Sequence, residues 1–231
     1  MFKQAFLGFL TSTTLLASGW VAQASAVILE SVPFDSVDTG ISGGSAVFDD
    51  QFLGWRFELD NPFQVTDIGG TFFGFGFPNQ EIFGAIVSLS ESDALPLGSP
   101  FLQEEVLAVT TFNIPLGHND ILTPLEVSLD PGNYGLVFGG GLFGATGIIS
   151  AMSSLNGGPL ASSGIEYFQW RVDRNPPLRA RWSDSGSPNR FVVAGSTLVS
   201  DPVSVPETSP VLSLLALGTL AFGSSLLHRK A

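Results

Sequence analysis

Trp55-Arg56-Phe57-Glu58-Leu59-Asp60 alternates three apolar with three charged side chains. A period of two suits an extended strand with one buried face and defeats a helix, whose faces repeat every 3.6 residues. The same period runs through Phe83–Leu89, Leu125–Leu129 and Phe168–Val172, and further strands are predicted at 63–76, 105–112, 133–138, 178–182 and 189–194. Turn signals separate these runs: Asp60-Asn61-Pro62, Asp130-Pro131-Gly132-Asn133 and Asn175-Pro176-Pro177. No segment carries a capped helical stripe, and no repeat recurs at a fixed period. The expected fold class is all-β, an antiparallel β-sandwich of jelly-roll or Greek-key type over residues 27–200.

Both ends of the chain read differently. Lys3, the apolar runs Ala5–Leu10 and Leu15–Ala17, and the small residues of Gln23-Ala24-Ser25-Ala26 have the order of a secretory signal peptide over 1–26, cut after Ala26 or Ala24. At the other end, a Pro-spaced linker over 201–210 (Pro202, Pro206, Pro210) leads into Val211–Leu227, which has no charged residue. At ~1.5 Å per residue that run sits at the short end of a transmembrane helix. Residues 228–231 include Arg229 and Lys230, and basic residues stay on the cytoplasmic side. The expectation is an outside domain, one span and a small basic end inside.

Val205-Pro206-Glu207, a short spacer, an apolar span and a terminal basic pair together resemble the PEP-CTERM sorting signal of bacterial exported proteins, with Thr208 where that family usually has proline. The resemblance covers roughly the last 27 residues. It implies processing by an exosortase-type membrane protease-transpeptidase and delivery to the cell surface or an exopolysaccharide matrix. A permanent single-span anchor is the alternative. The phrase Leu129–Phe138, LDPGNYGLVF, also resembles the late strand of lectin-like jelly rolls and of PEP-CTERM ectodomains.

Charge and residue usage narrow the chemistry. Residues 27–204 hold 20 acidic residues, six arginines and no lysine, a net charge of −14. Duplex nucleic acid is excluded as a partner, because its affinity comes from neutralising phosphates with Lys and Arg. The chain has no cysteine, which removes thiol nucleophiles, disulfides and Cys-ligated metals.

Two motifs resemble catalytic or cofactor sites without their context. Gly40-Ile41-Ser42-Gly43-Gly44 fits G-x-S-x-G, yet the nucleophile elbow needs a strand, a helix and a histidine base. His118, the only histidine between the two ends, sits in a polar stretch read as a turn. Gly139–Gly144 fits G-x-G-x-x-G, with Glu166 downstream, yet that fingerprint requires a βαβ unit. Both are read as glycine loops, the second with positive-φ positions. Paired acids at Asp49-Asp50 and Glu104-Glu105 could serve glycoside hydrolysis only if they faced one another across a cleft. A calcium site from Asp35, Asp38, Asp49 or Asp50 is weighed against a solvated acidic loop, and no EF-hand or RTX spacing supports it. The reading is therefore non-catalytic and without a cofactor.

The arginines are unevenly placed. Arg56 stands alone, whereas Arg171, Arg174, Arg179, Arg181 and Arg190 crowd the end of the domain. A hairpin turning at Asp173–Pro177 would set Val172 opposite Leu178 and Arg171 opposite Arg179. It would send Phe168, Trp170, Val172, Leu178, Ala180 and Trp182 to the core, leaving Tyr167, Gln169, Arg171, Arg179 and Arg181 on one outer face. Like charges opposed across strands repel unless an anion lies between them. The partner is either the domain's own carboxylates or an anionic glycan held by bidentate arginines and a stacking ring. The functional expectation is an exported, non-catalytic surface or matrix-associated structural protein, with a carbohydrate-binding module as the alternative.

Overall fold

The structure, a computed structural model, describes residues 26–37, 44–76, 80–153, 166–173 and 179–198, with the side chains of Ser36, Asp173 and Arg179 excepted. The predicted signal peptide before Ala26, the linker and sorting motif (Val205, Pro206, Glu207) and the segment from Val211 through Leu227 to Arg229 and Lys230 lie outside the described residues, as do Asp38 and Arg174. Among the described residues no helix is long and apolar enough to cross a membrane. Ala24–Ser200 forms one compact unit.

The described fold is all-β, with twelve strands in two antiparallel sheets. The strands are β1 (Ala26–Glu30), β2 (Gly44–Val47), β3 (Gln51–Leu59), β4 (Phe63–Gly74), β5 (Glu81–Leu89), β6 (Val106–Asn113), β7 (Gly117–Leu129), β8 (Gly132–Gly139), β9 (Ile149–Met152), β10 (Tyr167–Asp173), β11 (Arg179–Ser185) and β12 (Phe191–Thr197). The first sheet runs β1-β12-β4-β9-β2, with β7 on the other side of β4. The second runs β11-β10-β3-β8-β5-β6.

Alternating side chains from the facing surfaces make the main core. Leu53, Trp55, Phe57 and Leu59 from β3 meet Phe63, Val65, Ile68 and Phe72 from β4, with Leu136 and Phe138 from β8 and Phe191 and Val193 from β12. Rings interlock edge to face, as in Phe72–Phe138 at 5.1 Å between centroids.

The outward face of the second sheet is buried too. Phe52, Phe83, Val87, Phe168, Trp170 and Trp182 form a second apolar layer, against which Leu95, Phe101 and Leu142 pack from connecting segments. The indole N–H of Trp182 donates to the carbonyl of Pro100. Arg56 Nε donates to the carbonyl of Ala94 at 2.8 Å, and its guanidinium lies 5.1 Å from the centre of the Phe168 ring. Gly54 makes this layer possible: a Cβ there would collide with the Phe168 ring, which leaves glycine the residue that fits.

Glu105 organises the covering segment. Its buried carboxylate accepts from the backbone N–H groups of Leu97 (2.6 Å), Gly98 (3.3 Å) and Leu102 (2.9 Å). One half of the Glu104-Glu105 pair is thus committed to holding a loop. Gly139–Gly144 leads into no helix; Gly141 and Gly144 have φ of 76° and 87°, the left-handed values a glycine loop supplies.

The strand ends define two poles. The turns 60–62 and 130–131 join the sheets at one pole, where Ala26 pairs with Ser196 and the N–H of Leu198 donates to the carbonyl of Pro62. The Asp49-Asp50 turn lies at the other pole, at the start of β3. The nine residues of β3 separate these poles by about 26 Å.

Candidate functional site

Strands β10 and β11 form the predicted hairpin in a different register. Trp170 pairs with Trp182, Arg171 with Arg181, Val172 with Ala180 and Asp173 with Arg179. Arg171 therefore opposes Arg181 rather than Arg179, because the connection is five residues long and begins after Asp173. Ala180 is exposed, and Leu178 lies outside the described residues.

The two faces are exchanged relative to the expectation. Phe168, Trp170 and Trp182 do become buried, but in the layer outside the second sheet. Tyr167, on the opposite parity, belongs to the main core between the sheets. It is 2% exposed, and its hydroxyl donates to the carbonyl of Ser31 at 3.2 Å. Burial, with a smaller contribution from Glu166, pushes this phenol up to about 12, while the Ser31 side chain acts in the opposite direction. Tyr167 is thereby withdrawn from any ligand face.

Further along the same face the apolar core ends and a cleft of about 760 Å³ begins. Gln169 and Arg171 of β10 and Arg181 and Ser183 of β11 line it, with Gln51 of β3 and the Phe48-Asp49-Asp50 turn on another side and Ile148 beside them. Parity explains the grouping. Gln51 lies two residues before the core residue Leu53, Gln51 pairs with Arg171, and Gln169 pairs with both Leu53 and Ser183. These positions continue the inward face of the second sheet towards the Asp49-Asp50 pole.

The electrostatics of the cleft have two signs. Arg171 and Arg181 are exposed and, among the described residues, form no ion pair. Residues directly opposed in an antiparallel pair have Cα atoms about 4.5–5.5 Å apart, so the two arginine side chains leave the sheet as direct cross-strand neighbours. Asp49, exposed, and Asp50 stand on the β2–β3 turn. Gln51, Gln169 and Ser183 add neutral donors and acceptors. Arg179 sits on β11, next but one to Arg181 along the strand.

The remaining chemistry-bearing residues are accounted for by structure. Arg190 is buried: it pairs with Asp120, donates to Glu30 at 2.8 Å and lies 5.1 Å from the ring centre of Phe34. His118 is not in a turn; it pairs with Phe73 at the start of β7, its ring 4.9 Å from that phenylalanine. Gly44 opens β2, while the rest of the G-x-S-x-G stretch lies outside the described residues. Among the described residues no group of three His, Cys, Asp or Glu side chains gathers as a metal site; Asp35 lies on a one-turn helix apart from Asp49 and Asp50.

A smaller cleft of about 320 Å³ lies on the outward face near the opposite pole, lined by Arg56, Glu58, Ser92, Asn133 and Glu166. Burial pushes the Glu166 carboxyl above the usual range, and its Oε2 accepts no hydrogen bond. That oxygen and Asn133 Oδ1 are sealed from solvent by protein, which gives this cleft little to offer a ligand.

Gln169, Arg171 and Arg181, expected on an outer face, line the cleft on the inward face of the second sheet. Strand parity could also have found Ser183 and Gln51. Phe48, Asp49, Asp50 and Ile148 come to the cleft from connections, and no local signal announces them. Comparison with protein-family models, with curated proteins and with solved structures finds no match to this chain.

Proposed function

We propose that this chain is an exported, non-catalytic protein of the cell surface or extracellular matrix, and that its β domain holds an anionic glycan of an exopolysaccharide in the Arg171–Arg181 cleft. One observation carries the binding reading: two arginines are opposed in register on a cleft wall and have no carboxylate partner among the described residues. An anion between them removes a repulsion that the free domain retains.

The export reading rests on the signal-peptide pattern and on the PEP-CTERM-like tail. An exosortase-type membrane protease-transpeptidase would cut near Val205-Pro206-Glu207, freeing the domain from the Val211–Leu227 anchor held by Arg229 and Lys230. The jelly-roll reading of the fold is supported by connections that mostly cross from one sheet to the other, as from β3 to β4, β4 to β5, β6 to β7 and β7 to β8. Within the β domain the cleft lies at the pole opposite the one where Leu198 donates to the carbonyl of Pro62.

The test uses the protein secreted by its native host. An epitope within 195–204 is expected on a surface or medium product that has lost a second epitope placed after Ala231, and Glu207→Ala is expected to retain the full-length chain in the membrane. The mature product is expected to bind acidic glycans on an array, with binding abolished by Arg171→Gln plus Arg181→Gln. Processing without glycan binding would leave a purely structural matrix protein.

A further inference from the structure

Resting on that reading, we infer that the cleft selects a carboxylated sugar, a hexuronic-acid polymer with free hydroxyl groups, over sulfated or neutral glycans. The reason is the presence of acids as well as arginines around one space.

Arg171 and Arg181 offer two planar donor forks side by side, the geometry that takes one carboxylate bidentately or bridges its two oxygens. The rest of the lining is rich in acceptors. Asp49 and the side chains of Gln51, Gln169 and Ser183 line the same cleft. Carboxylates accept hydrogen bonds from sugar hydroxyls and repel further anions.

A hexuronate presents one carboxylate and two or more hydroxyl groups on a single ring, which suits a site with one basic and one acidic wall. A sulfated sugar replaces hydroxyl donors by anions, so the acidic wall loses donors and gains repulsion. A neutral sugar satisfies the acidic wall but leaves the opposed arginines unpaired. Two apolar side chains, Phe48 and Ile148, border the cleft and give the ring carbons a surface to rest on.

The same wall predicts which residue sets the choice. Arg171 and Arg181 are required for any acidic glycan, whereas Asp49 discriminates among them. Asp49 is the better probe of the two aspartates because it is exposed at the turn, while Asp50 has a second duty: its backbone carbonyl accepts from the N–H of Val172.

The experiment measures affinities of the secreted, mature protein for three oligosaccharides of equal length: a hexuronate oligomer, the same oligomer after carboxyl reduction, and a sulfated neutral oligomer of matched charge. The hexuronate is expected to bind at least about tenfold more tightly than either, a difference of about 1.4 kcal/mol. Arg181→Gln is expected to remove that preference over the neutral oligomer. Asp49→Asn is expected to narrow the gap between carboxylated and sulfated oligomers severalfold, chiefly by raising affinity for the sulfated one. Equal or stronger binding of the sulfated oligomer would overturn the carboxylate inference while leaving an anionic-glycan site in place. Absence of binding to both acidic oligomers would overturn the underlying reading, and hexuronate binding insensitive to Arg181→Gln would place it elsewhere.

Discussion

Arg56 and Arg190 on one side, Arg171 and Arg181 on the other, are the same residue type put to opposite uses. Arg56 and Arg190 are 6% and 5% exposed and hold elements that are far apart in the chain: Arg56 ties β3 to Ala94 and Asp184, and Arg190 ties β12 to Glu30 and Asp120. Arg171 and Arg181 are exposed, directly opposed across strands, and form no ion pair among the described residues. A buried guanidinium must be partnered or the fold pays its desolvation cost, whereas an exposed one can wait for an external anion. Burial therefore separates the arginines that hold the domain together from those left in solvent, which sequence clustering does not.

That division can be broken by substitution, beginning with the largest effect. Arg190→Ala should destabilise the domain by about 3 kcal/mol, since it removes a buried guanidinium bonded to Glu30, Asp120 and Thr71; a urea midpoint measures it. Little change would dissolve the contrast. Arg56→Ala should cost about 2 kcal/mol, by leaving the Ala94 carbonyl unpaired and removing the cation over Phe168. Its distinctive consequence should be faster proteolysis within 94–105, the segment that it pins.

Glu166 sharpens the comparison from the acid side. Its carboxyl is raised by burial, so the folded state holds that proton more firmly than the unfolded chain does. The resulting stabilisation is fully present below the ordinary carboxylate range and is lost as pH rises through the folded-state value. Glu166→Gln should accordingly raise the melting temperature slightly at neutral pH, an advantage that disappears on acidification below about pH 4. The smallest effect on stability is expected at the cleft. Arg171→Gln with Arg181→Gln should shift stability by no more than about 0.5 kcal/mol, or raise it by relieving repulsion, while abolishing acidic-glycan binding. A loss of several kcal/mol would instead identify these two as structural.

Period-two patterning located nine of the strands, and it worked best where one side chain in two is large and apolar, as in Trp55–Leu59. It was weaker where strands are short or polar. Ala26–Glu30, Gly44–Val47 and Ile149–Met152 span only four or five residues, and β7 before Thr123 is half-buried at most, with its Pro124 on a strand that has β4 as its sheet partner. The exchange of faces on β10 and β11 has a different cause. Alternation tells which residues share a face, but both faces of this sheet meet apolar layers, so it cannot tell which layer is which. Phe101 and Trp182, 5.3 Å apart between ring centres, meet only because a connection some 80 residues away folds over the sheet.

The pairing of Ala26 with Ser196 also sets an order in time. Among the described residues β1 forms its sheet ladder only with β12, across more than 160 residues of sequence. A chain is synthesised from its N-terminus, so the earliest of these strands must wait for the latest. The first sheet therefore stays incomplete until nearly the whole domain has been made. Its closure is tied to the last strand rather than to any local hairpin.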